Sequence, residues 1–259
     1  FFIGRAEVMA EVVRRGEVPS VHGKRPITAV QLVWSDPALA LAVSARASAR
    51  YGPRPLGEAI RLLGEEAIRR RILPAMLQRT EYFRGLRHAV STLYFQQALT
   101  RAYLAYGLAR PHGATVAQNA YQAALLLHLG KQALLVVLHT LSGSPVIPAT
   151  AEINRFLERY HPKVGAMLTE RFGCLPQVSE ALRQQREKLD ASTAPILSKI
   201  VQLAERIRRR EVLTEDVLLS EGMMDQICAV AGSLPPLREH IERRLSPLLN
   251  PTSTRASGG

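Results

Sequence analysis

Apolar residues recur along this chain at the three- and four-residue spacing that lines one face of a helix. A sustained run of alternating β-branched residues, the mark of a half-buried strand, is absent. The pattern predicts helices over 5–15, 28–33, 37–50, 56–73, 83–108, 116–128, 131–141 and 151–159. Five more are predicted over 162–171, 176–189, 195–210, 214–231 and 236–248. Ala, Leu, Arg, Glu and Gln are abundant throughout, and these are good helix formers. No repeat of fixed period is present. The expected fold is all-α, a compact multi-helix domain.

The breaks between these segments have chemical causes. Asp36-Pro37 combines an acceptor for exposed helix-end amides with a proline whose missing N–H costs nothing there. Gly52-Pro53 and Pro55 end the following helix and force an extended turn. Gly143-Ser144-Pro145 and Pro148 make the strongest interruption in mid-chain, and Thr214-Glu215-Asp216 places acid in a first helical turn, where the dipole favours it. The stretch 249–259 reads as a flexible tail.

Composition narrows the class. A chain of 259 residues with 47% hydrophobic content is long enough for one large domain or two ordinary ones, and too apolar to be wholly disordered. It carries 34 Lys+Arg against 22 Asp+Glu, a net charge of +12, and only five of the bases are lysines. Ten of those twelve charges fall within residues 1–160. Such an excess suits nucleic acid, nucleotides or an acidic surface. The densest runs are Arg69-Arg70-Arg71 and 206–210. Consecutive helical residues point in different directions, so Arg69, Arg70 and Arg71 are either a solvated helix end or a candidate anion-binding patch. Few aromatics accompany them, which disfavours a stacking platform for single strands.

Two cysteines, Cys174 and Cys228, make neither a disulfide scaffold nor a CxxC pair, which fits a reducing cytoplasm. The longest apolar stretch, 123–137, is interrupted by His128, Gly130, Lys131 and Gln132, so no membrane span is expected. The chain shows no signal peptide and opens on Phe1, which suggests a preceding segment.

Gly-rich phosphate loops and the GxSxG elbow are missing. Chemistry would then have to come from seven histidines, of which His88, His128 and His161 fall in predicted helices or at their ends. An all-α metal hydrolase needs several His and Asp converging from different helices. The same histidines also suit interhelical packing, with one ring nitrogen on a backbone carbonyl.

Several segments, in order, resemble the HDOD family, relatives of the HD metal-dependent phosphohydrolases. They begin with Asp36-Pro37-Ala38-Leu39, Ser44 to Ser48, Tyr51-Gly52 and Ala59-Ile60-Arg61-Leu62-Leu63-Gly64. Arg87-His88 resembles the start of the HD-like half, and Leu125-Leu126-Leu127-His128-Leu129-Gly130-Lys131 is similar to a Leu-Leu-His-Asp-Ile-Gly-Lys motif. Glu158, His161, Val164-Gly165-Ala166 and Leu168 look like the next helix, followed by Phe172-Gly173 and Leu175-Pro176. The resemblance covers about 19–190. It implies an N-terminal helical half (1–80), an HD-like half (81–190) and C-terminal helices packed on the same domain (191–248), with Pro74 and 78–81 as the joint.

The departures bear on activity. Aligned on Gly130-Lys131, the metal-binding His-Asp pair falls on Leu127 and His128, so the bridging aspartate is lost. Arg183-Gln184-Gln185-Arg186 stands where HD enzymes often add ligands. His88, Leu127, His128 and His161 are then vestigial metal positions, with no catalytic residue, metal or cofactor expected. The resemblance implies a non-catalytic signal-transduction output or scaffold module of a bacterial regulatory protein, response-regulator-like and cytoplasmic. Its partner would be another signalling protein or a receiver domain, with Met223-Met224 and 234–237 as adaptable contacts. The alternatives are a nucleic-acid or nucleotide-binding regulator, and a metal-dependent phosphohydrolase with acidic ligands yet to be found, Asp190 being the nearest.

Overall fold

A computed structural model describes residues 3–18, 27–80, 88–142, 150–187 and 193–209. The expectations for 214–231, 236–248 and the tail, together with Asp190, Met223-Met224, 234–237 and Cys228, lie outside the described residues.

Helix α1 (Ile3–Arg15) leads into β1 (Glu17–Val18), which pairs antiparallel with β2 (Ile27–Thr28), Glu17 opposite Thr28. Then come α2 (Ala29–Ser35), α3 (Pro37–Tyr51), α4 (Leu56–Leu63), the short α5 (Glu65–Ala67), a wide π turn (Ile68–Ile72) and α6 (Leu73–Thr80). The second part holds α7 (His88–Ala109), a 3-10 turn (Arg110–His112), α8 (Ala114–Leu126), α9 (Leu129–Ser142), α10 (Ala151–Arg171), α11 (Pro176–Arg183) and α12 (Ile196–Arg209). The fold is all-α, with one two-residue strand pair among the described residues.

The cap on α3 forms as its chemistry requires. Asp36 Oδ1 accepts from Ala38 N at 2.9 Å and Leu39 N at 3.1 Å, answering two amides that the helix leaves open. Apolar side chains from α1 to α12 share one buried cluster, and nearly every side chain of the second half of α8 lies inside it.

Three expectations need correction. The segment 56–73 is not one helix: Gly64, at φ +78, stops α4 in a conformation that other residues enter only with strain, and the chain restarts at Glu65. Residues 151–171 are one helix, not two, although Pro162 stands inside it. That proline cannot bond the Glu158 carbonyl, and Arg186 Nη1 donates to it instead at 2.7 Å, so the helix continues without an orphaned acceptor. Finally, 114–142 is long and apolar enough, by length and composition, to cross a membrane. A turn at Leu127-His128 divides that stretch into α8 and α9, and the hydropathy of α8 is that of a helix inside a protein core.

Candidate functional site

The turn between α8 and α9 sets up the site. Lys131 N and Gln132 N both donate to the His128 carbonyl, at 3.0 and 3.3 Å, so α9 starts immediately after the bend. Leu127 is carried into the apolar core, and His128 is buried against side chains of α7, α10 and α12.

Arg101 comes from α7, amid Ala98, Leu99, Ala102, Leu104 and Ala105, and is fully buried (0% exposed). Its Nε donates to the Ala124 carbonyl at 2.7 Å, and its Nη1 donates to Glu205 Oε2 of α12 at 3.1 Å. The same Nη1 stands 3.5 Å from His128 Nδ1, while His128 Nε2 is 3.6 Å from Glu205 Oε1. Arg208 clasps Glu205 from its own helix, Nε and Nη2 donating at 2.8 and 2.7 Å.

His161 completes the inner group. Its ring meets that of His128 edge to face, with centroids 5.6 Å apart. Nδ1–H donates to the Leu157 carbonyl at 2.8 Å, and Nε2 lies 3.2 Å from Gln185 Oε1. Gln185 Nε2 donates to the Leu182 carbonyl at 3.0 Å, which turns the amide oxygen toward the ring and favours the protonated imidazole against the effect of burial. Beside it Lys131 pairs with Glu158, which also takes Arg186 at 2.9 Å.

The close crossing of α9 over α10 depends on two glycines. A Cβ on Gly130 would overlap the His161 carbonyl oxygen, and Gly165 faces the Gly130 backbone across the contact. The motif glycines therefore bring the α9 turn down onto His161.

The electrostatics follow from burial among cations. Burial, then the Arg101 charge, drives His128 well below the ordinary histidine value. Burial and the Lys131 charge push His161 down to about 4. Burial alone would raise Glu205, but its bond to Arg208 and the Arg101 charge hold it far below the carboxylate range. Glu158 is likewise held low by Lys131 against the opposing effect of burial. At neutral pH the site is two neutral imidazoles among carboxylates already matched to cations.

These residues do not fit the metal that an HD ancestry would imply. His128 and His161 do converge, but the guanidinium of Arg101 stands against His128 and the ammonium of Lys131 lies nearby. Both carboxylates are taken, Glu205 by Arg101 and Arg208 and Glu158 by Lys131 and Arg186. Metal coordination needs free anionic or imidazole donors, and a divalent ion here would face fixed positive charge. Among the described residues no group of three or more His, Cys, Asp or Glu is placed to hold a metal. His88 opens α7, but its side chain lies outside the described residues.

The candidate anion patch is partly committed elsewhere. Arg69 binds Glu66 through Nε and Nη2 at 2.9 and 2.7 Å and donates from Nη1 to the Val13 carbonyl of α1 at 2.9 Å. Arg70 pairs with Glu66 as well, and Arg71 is exposed. Glu66 thus holds two of the three, and Arg69 ties the π turn to α1.

Arg101 and Glu205 were not singled out from sequence. The available signal was a lone charge on each buried helical face, Arg101 within an Ala/Leu-rich run and Glu205 beside Ala204 on the stripe of Leu197, Ile200, Val201 and Ile207. Buried charge is retained only when paired, so each predicts a partner without naming it.

Comparison with known proteins agrees with this geometry. The HDOD domain family model matches residues 27–188, more than half the chain. No curated protein and no solved structure matches it. With that match over more than half of an all-α chain, the chain belongs to the HDOD family.

Proposed function

We propose that this chain is a cytoplasmic, non-catalytic output or scaffold module of a bacterial signalling protein, acting by binding another signalling protein or a receiver domain. Membership of a family of degenerate HD-like signalling domains supports the coarse part of this reading. The observation that supports the non-catalytic part is the Arg101–Glu205 pair set against His128 where metal-ligand chemistry would be needed. A metal-dependent hydrolase would need an open metal position and an activated water, and this arrangement offers a matched ion pair instead. The nucleic-acid alternative loses weight where it was strongest, because Arg69 and Arg70 are both engaged by Glu66.

Purification without chelator, followed by elemental analysis and an assay with a generic phosphodiester and added Mn²⁺, tests the reading. Metal well below one equivalent and no turnover are expected. Two bound Mn, Fe or Zn per chain, or hydrolysis lost on His161→Ala, would overturn it. For the partner, fluorescence anisotropy against a receiver domain should give a saturable isotherm that weakens little with salt. A signal found only with duplex DNA and falling steeply with salt would favour the arginine surface instead.

A further inference from the structure

Helix α12 lies beyond the end of the family match at residue 188, yet it is seated deeply in the domain. Leu197, Ile200, Val201, Ala204 and Ile207 are buried on its inner stripe, which packs on α7, α8 and α11. Glu205 lies next to that stripe and reaches the fully buried Arg101, with His128 alongside. Gln202 Nε2 adds bonds to the Gln184 and Glu187 carbonyls at 2.7 and 3.0 Å, closing the end of α11. An amphipathic helix beyond the matched residues therefore lies in a groove whose charged anchor, Arg101, falls within them.

We propose that the groove formed by α7, α8 and α11 is a helix-docking site, that α12 is its occupant in cis, and that Arg101 selects an incoming amphipathic helix by a carboxylate at the position of Glu205. The physical basis is asymmetric. The apolar stripe gives affinity to any helix of similar shape, whereas a buried guanidinium without a carboxylate opposite it is heavily penalised. A neutral or basic residue at that position is thus rejected, and a helix with apolar residues matching 197, 200, 201, 204 and 207 plus the acid is accepted. A partner helix of this chemistry would engage the domain by displacing α12. The proposal rests on the reading of the chain as a binding module and names the class of partner.

The test uses the full chain and its Glu205→Gln variant, with a synthetic peptide of residues 193–209 and the same peptide carrying E205Q as probes. Hydrogen exchange should show protection in α12 falling at least tenfold in Glu205→Gln, with α8 and α10 unchanged. The acidic peptide should bind that variant at least tenfold more tightly than the Gln peptide, and bind the wild-type chain more weakly because its own α12 competes. Equal binding of the two peptides, no binding of either, unchanged α12 protection, or loss of protection throughout the fold would each overturn the proposal. Metal-dependent turnover would sink the parent reading while leaving the exchange pattern of α12 untouched, so the two failures are distinguishable.

Discussion

At the scale of single residues, one buried positive group organises the site. Arg101 gathers a carbonyl, a carboxylate and the neighbourhood of an imidazole around a buried guanidinium, which matches the chemistry of that side chain: planar, always charged and many-donored. Leu127 makes the complementary point. It stands where alignment places a metal-binding histidine, and it is a core residue with 1% exposure. Leu127→Asp should cost more than about 4 kcal/mol, the loss of leucine packing adding to burial of a carboxylate. Equilibrium denaturation at pH 7 measures this, and a loss under about 1 kcal/mol would show that the position still tolerates a ligand-like charge.

At the scale of elements, helix crossings decide what the side chains meet. The contact of α9 with α10 through Gly130 and Gly165 fixes how far the α8–α9 turn descends onto His161. Gly130→Ala has no room for its methyl against the His161 carbonyl, so the helices must separate. The expected loss is roughly 1–3 kcal/mol, the range for overpacked cores. Thermal unfolding of the variant checks it, and an unchanged or raised melting temperature would mean that the crossing is loose. Pro162 depends on another element in the same way: α10 runs through it because the stretch after α11 supplies Arg186 to the carbonyl that the proline leaves unbonded. That compensation comes from 24 residues further along the chain. His161 Nδ1 also stands 3.1 Å from that carbonyl, but the Arg186 contact is invisible in local spacing, so the prolines that correctly mark starts at Pro37 and Pro176 misled at Pro162.

At the scale of the whole molecule, the buried histidines set how stability follows pH. Histidine ordinarily titrates near 6.5, while His161 is pushed down to about 4 and His128 is also pushed well down. Between those values the unfolded chain binds more protons than the folded one. Stability is therefore full above about pH 6.5 and falls as pH drops toward 4, by up to roughly 1 kcal/mol per pH unit for each histidine. Glu205 and Glu158, held below the usual carboxylate value of 4.5, lower stability in the same direction further down. Melting temperature should be flat from pH 7 to 8 and decline from 6.5 to 4.5, with His161→Gln flattening part of that decline. A wild-type protein that gains stability on acidification through this window would contradict the placement of both rings.

What the sequence determined by itself is what short-range chemistry controls. Apolar spacing made the chain all-α, Asp36-Pro37 started α3, and the order of motif fragments marked the family, because each depends on residues a few positions apart. His128 and His161 could be named as candidates for the same reason. The tertiary structure alone decided what surrounds them. Arg101 lies 27 residues before His128, and Glu205 lies 77 residues after it. Only the packing of α7, α8 and α12 sets those charges against that ring, since burial raises the penalty for an unpaired charge until a partner is drawn in from wherever the fold can supply one. The vanished ligand could be read from a single leucine. The arginine standing against His128, and the helix that holds it there, belong to the fold.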